Sequence, residues 1–227
     1  TLFGNNQLDD LQGLRNLTAL GGLLEIRRNA TLRSLDGLEG LDSIRTDLGI
    51  TSNPALVSLE AMRGLRTVGG AVEVRDNGAL VSLAGLESIR SAEHLTIIGH
   101  PRLTRLAQMD QLTQIRGSLT ISLNAVLTSL AGLDQLATVQ GFVVVSDNES
   151  LASMEGLEGL VLVGRFVTIS GNGSLSSLQA LHQIGSIGQK LTIRGNPVLP
   201  LAEVEAWTAV LSERGFDGET NVQDNGS

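Results

Sequence analysis

The chain has 227 residues, no cysteine, a formal net charge of −8 and 2% aromatic residues. That length fits one large domain or two small ones. The missing cysteine excludes a disulfide framework, a thiolate zinc site and a Cys nucleophile, and the acidic balance excludes the basic footprint of a non-specific nucleic-acid binder. No apolar run reaches the roughly 18 residues a membrane-spanning helix needs, and no basic, then apolar, then small-residue leader stands at Thr1.

A partial unit opens the chain at Leu2, with Asn5, Leu8, Leu11, Leu14, Leu17 and Leu20 in register with the later units. The first full unit reads Leu24, Ile26, Asn29, Leu32, Leu35, Leu38, Leu41, Ile44, and the next reads Leu48, Ile50, Asn53, Leu56, Leu59, Met62, Leu65, Val68. Later units start at Val72, Leu95, Leu119, Val143, Val167 and Leu191, 24 residues apart except for 23 between Val72 and Leu95. A fixed period of this size is the mark of a solenoid.

Each unit has two parts. An alternating stretch such as Ser118–Ser122 predicts a strand with Leu119 and Ile121 inward. A stretch with an apolar residue at every third position, as at Leu127, Leu130, Leu133, Leu136 and Val139, fits 3₁₀-like turns or an extended return path better than an α-helix. One unit cannot bury its own leucines, so units must stack, with strands about 4.8 Å apart, into a rod about 40 Å long. Ladders of Leu, Ile and Val then fill the core without rings.

With Asn29 three residues before Leu32, the Asn53-Pro54 and Asn196-Pro197 pairs, and Gly37-Leu38 and Gly132-Leu133, the pattern resembles leucine-rich repeats and, more closely, the receptor L-domain. The resemblance covers about residues 2 to 200. It implies a right-handed solenoid acting as an extracellular, non-catalytic, ligand-binding module. Animal L-domains carry terminal disulfides; this cysteine-free chain is more similar to the type seen in bacterial surface proteins.

Three polar columns run through the units. Asn5, 29, 53, 77, 124, 148, 172 and 196 form one, with His100 replacing Asn in one rung. An inward amide at a tight turn is expected to satisfy backbone groups. Glycosylation at the triplets starting at Asn29, Asn148 and Asn172 is discounted for that reason, leaving Asn16 as the sequon off the column. Ser34, 58, 82, 129, 153 and 177 form the second column, and Gly13, 37, 85, 132 and 156 the third, with Ala61 and Ala180 as small substitutes. The fifth rung breaks all three at His100, Arg105 and Gln108. It reads as drift compensating a shortened turn, or, with Arg102, as a basic spot for an acidic partner.

The outward strand positions carry the functional expectation. They are charged in the first half (Glu25, Arg27, Asp47, Glu73, Arg75) and mostly uncharged and Ser/Thr-rich in the second, up to Lys190 and Arg194. The candidate binding residues are Phe142 and Phe166, expected to stack on adjacent rungs, with Thr96, Thr120, Ser122, Ser146, Thr168, Ser170 and Thr192 around them. An exposed aromatic pair rimmed by hydroxyls is a recognition anchor. Ice binding is disfavoured because no strand shows Thr-x-Thr, Ser118-Thr120-Ser122 being the nearest approach. Catalysis is disfavoured too. His94, His100 and His182 show neither metalloprotease nor hydrolase spacing, and no phosphate loop is present.

Past Pro200 the period stops. Val204, Trp207 and Leu211 follow helical spacing up to Gly215, which predicts a capping helix, and Thr220, Val222 and Asn225 predict one more short strand. The expected organisation is a repeat solenoid of about nine rungs over residues 1–200 and a cap over 201–227 in the same domain. Residues 2 to 22 show no cap, which raises end-to-end self-association. The functional expectation is a non-catalytic binding or adhesion module at the cell surface or outside the cell. It would recognise a protein or glycan through its parallel-sheet face, with no cofactor, metal or nucleic acid. The alternative is a structural spacer of a larger surface protein.

Overall fold

The computed structural model describes residues 1–106 and 109–226. The chain is a parallel β-solenoid of about eight turns. Its main wall is a ten-stranded parallel sheet that starts at Leu2–Phe3, runs through eight strands of four or five residues from Leu24–Arg27 to Lys190–Arg194, and closes on Glu219–Gln223. Register follows the period: Leu24 pairs with Leu48, Leu48 with Val72, and Leu119 with Val143. The inward residue pairs of these strands are buried, as are the three-residue-spaced leucines of the return path. The core is a stack of repeated aliphatic sites.

The return path holds two features that the spacing alone does not separate. Two-residue strands at its end, such as Ser43–Ile44 and Thr138–Val139, form a second wall. That wall is split into a three-stranded piece ending at Thr67–Val68 and a five-stranded piece beginning at Ser91–Ala92. The split coincides with the short unit. Ala92 and Leu95 are three residues apart where Val68 and Val72 are four, so the corner loses one residue.

The glycine column resolves into two turn types. At Gly37, Gly85, Gly132 and Gly156 the backbone lies at φ between 103° and 117°, a region that favours glycine. A carboxylate two residues on accepts each glycine N–H: Glu39, Glu87, Asp134 and Glu158. Gly13, Ala61 and Ala180 instead sit inside 3₁₀ turns, and the residue two on is Arg15, Arg63 or His182, which offers no carboxylate. The Ser column has a local role throughout, each Oγ accepting the N–H two residues ahead, as Ser58 does from Glu60. Arg105 breaks that column, and Gln108 lies outside the described residues.

The helix Leu201–Glu213 buries Val204, Trp207 and Leu211 over the last turn, as the spacing predicts. Arg214 fastens its end by donating from Nη1 to the carbonyls of His182 and Ile184. At the opposite end Leu8, Leu14, Leu17 and Leu20 are only partly buried.

The two turn types respond differently to one methyl group. A Cβ on Gly85 would lie 2.0 Å from the Leu59 carbonyl oxygen, whereas one on Gly13 meets nothing within 4 Å. Gly85→Ala is expected to destabilise the chain by about 3 kcal/mol or more, and Gly13→Ala by about zero or to stabilise it slightly. Chemical denaturation of the two variants checks this, and equal effects would contradict the assignment of two turns.

Candidate functional site

The Asn column is a continuous polar seam. Each strand ends at a left-handed corner, and these corners form a column of their own: Gly4, Arg28, Ser52, Asp76, Gly99, Leu123, Asp147, Gly171, Gly195 and Asp224. Six are not glycine, and each such residue costs about 1 kcal/mol or more to hold there. The corner aims the following Asn inward. Asn124, for example, donates its backbone N–H to Asn148 Oδ1 at 3.1 Å and its side-chain Nδ2 to both Asn148 Oδ1 and the Ile97 carbonyl. The same pattern runs from Asn5 through Asn196 to Asn225, with His100 carrying it across one rung. The Asn residues from Asn29 to Asn196 are buried, so the Asn of each discounted glycosylation triplet is enclosed.

His100 is also fully buried. It therefore cannot join Arg102 and Arg105 in a basic surface spot; those two are exposed and His100 is not. Burial holds its imidazole below its ordinary pKa, against the pull of the Val74 and Asn77 carbonyls and of the Asp76 charge.

On the outward face Phe142 and Phe166 stack, with ring centroids 4.7 Å apart and planes 6° from parallel. The separation matches the spacing of neighbouring strands, so the rings stand like adjacent cards along the rod. Each is half-buried. Because they stack on each other, they turn an edge rather than a face toward solvent.

In the corner column in which they sit, three side chains accept a backbone N–H from the next rung. Asp47 Oδ1 takes the Ala71 N–H, His94 Nδ1 the Ser118 N–H, and Ser118 Oγ the Phe142 N–H. At Phe142 and Phe166 a hydrocarbon ring stands where Asp47, His94 and Ser118 make a polar link.

The hydroxyl residues divide. Thr120, Ser146, Thr168 and Ser170 are half-buried and reachable, whereas Thr96, Ser122 and Thr192 are covered, at 6%, 7% and 9% exposure. A small side chain on a flat parallel sheet is flanked at about 4.8 Å by the same column on both sides, and longer neighbours shade it. Ser122 Oγ is also hydrogen-bonded to Ser146 Oγ at 2.9 Å. Of the candidate binding residues, the ring pair and four hydroxyls are thus the reachable ones.

In the charged half, Glu25 pairs with Arg27 and Glu73 with Arg75, each at 3.4 Å along its own strand. Gly49 lies between them and leaves a shallow notch floored by Leu24 and Leu48. Phe3 lies under the Arg27 guanidinium at 4.6 Å.

Sequence reasoning missed the left-handed column. Four Gly and three Asp among its ten positions were a usable signal, masked by Arg28, Ser52 and Leu123. Leu123 is 57% exposed and borders Ser122 on the candidate face.

Among the described residues no helix is long and apolar enough to cross a membrane. Compared with protein-family models, with curated proteins and with solved structures, the chain has no match in any of the three.

The seam has a measurable weight. Asn148→Ala removes the acceptor for the Asn124 N–H and the donor to the Ile121 carbonyl, both buried. At about 1–3 kcal/mol for each group left unpaired, the expected loss is about 3 kcal/mol or more. Asn5→Ala, at the exposed end, should cost under about 1 kcal/mol. Urea denaturation checks the pair, and a mid-seam loss no larger than the end loss would contradict the role given to the seam.

Proposed function

We propose that this chain is a non-catalytic recognition module of the receptor L-domain-like, leucine-rich-repeat-related type, acting at a cell surface or outside the cell and binding a protein through its parallel-sheet face. The observation that carries the proposal is the Phe142–Phe166 stack. Two half-exposed rings on the outer face contribute nothing to the core ladders, and they follow directly on His94 and Ser118, whose side chains accept a backbone N–H from the next rung.

The edge-on rings favour a protein over a glycan. Sugar rings pack on aromatic faces, and one face of each ring is taken up by the other. Ring edges carry partial positive charge and suit carbonyl-rich or aliphatic contacts. The four reachable hydroxyls supply adaptable donors and acceptors beside them.

The test uses the intact chain against a displayed library of random peptides. Peptides selected on the native chain should lose at least about tenfold in affinity to Phe142→Ser/Phe166→Ser. They should keep their affinity for Val57→Ser/Val81→Ser, which alters an exposed apolar pair elsewhere on the surface. Far-ultraviolet circular dichroism and thermal melting establish that both variants are folded. Selected peptides indifferent to the Phe pair would overturn the assignment of the face and favour the second reading, a structural spacer. Binding to a glycan array lost in the same variant would replace protein with glycan.

A further inference from the structure

We propose that the junction between the Val72 and Leu95 rungs is a pH-sensitive joint, in which His100 joins the two halves of the Asn seam when neutral and opens it when protonated. Three features of the fold gather around the Val72 unit. The unit is one residue short, the second wall is split between it and the Leu48 unit, from Val68 to Ser91, and the seam residue that joins it to the Leu95 unit is an imidazole rather than an amide.

The chemistry depends on which atom holds the proton. His100 Nδ1 lies 3.3 Å from the Asn77 backbone nitrogen and 3.4 Å from the Asn77 carbonyl oxygen. Nε2 lies 3.1 Å from the Val74 carbonyl. In the neutral ring, the proton on Nε2 is donated to Val74, and Nδ1 accepts the Asn77 N–H as an Asn Oδ1 does in the other rungs. Protonation of Nδ1 converts that acceptor into a donor. It then turns to the Asn77 carbonyl, which already accepts the Leu80 N–H, and the buried Asn77 N–H loses its partner. An amide cannot make this exchange, so no other rung of the seam responds in the same way.

The surroundings set the direction. Asp76, at the corner of the preceding rung, is the charged group acting on the ring and favours the cation; from the following rung the ring meets the uncharged Asn124. Full burial opposes the cation more strongly, and the imidazole is held below its ordinary 6.5. A folded-state value below the unfolded one means that the unfolded chain binds the extra proton first. The stability His100 contributes is therefore whole above about pH 6.5 and is lost as pH falls below it toward the folded value.

The experiment compares the native chain with His100→Asn, in urea, between pH 7.5 and 5.5, above the range where carboxylates titrate. The folding equilibrium constant of the native chain should fall several-fold, by up to about tenfold, across that interval, and that of the variant should change much less. His94, whose Nδ1 also accepts a backbone N–H, and His182 are present in both chains and act as internal controls. Equal pH dependence in the two would overturn the proposal.

Should His100→Asn fail to fold, nuclear magnetic resonance of the native chain decides. The proposal requires the His100 ring to titrate below 6.5, or only on unfolding, with the Asn77 amide shift moving at the same midpoint. A ring that titrates at or above 6.5 while the Asn77 amide stays unmoved would overturn it.

Discussion

The Asn seam is the constraint on which the rest of the molecule depends. A strand that leaves the sheet at a tight left-handed corner strands its backbone N–H and carbonyl groups inside an apolar core, where each unpaired group costs about 1–3 kcal/mol. One amide per rung answers this in both directions, accepting from the rung before and donating to the carbonyl beneath it. The aliphatic ladders can then run uninterrupted beside it. The unfavourable corners at Arg28, Ser52 and Leu123 persist because the seam and the sheet bonds beyond them over-determine the local backbone.

Most of the fold could be read from the period, because each rung reuses the same sites and errors at one position are outvoted by the others. The strands, the burial of the Leu, Ile and Asn columns, the helix over Val204, Trp207 and Leu211, and the final strand at Glu219–Gln223 are all consequences of spacing. What could not be read was conformation at fixed composition. Gly13 and Gly37 occupy the same column yet adopt different turns, and the deciding residue is two positions on, Arg15 in one case and Glu39 in the other. The column of left-handed corners escaped notice because its residues share a backbone angle rather than a chemistry.

The candidate face was legible in part. The stacking of Phe142 on Phe166 followed from placing them in one column a rung apart. Alternation does assign Thr96, Ser122 and Thr192 to the outside, but outside is not the same as exposed: neighbours on adjacent strands cover them. In the fifth rung, three residues read together as a basic spot have different fates. His100 belongs to the interior and Arg102 and Arg105 to the surface, a separation that depends on register alone.

The split second wall has a mechanical meaning. Along most of its length the rod is a tube with two hydrogen-bonded walls, and bending it means stretching one of them. Between Val68 and Ser91 the second wall is interrupted, and the main sheet and the polar seam are the hydrogen-bonded ladders that continue from one turn to the next. The single missing residue thus divides the molecule into two stiff segments joined by a more compliant section. A load applied across the ends is concentrated there, and the ring pair at Phe142 and Phe166 rides on the longer, stiffer segment.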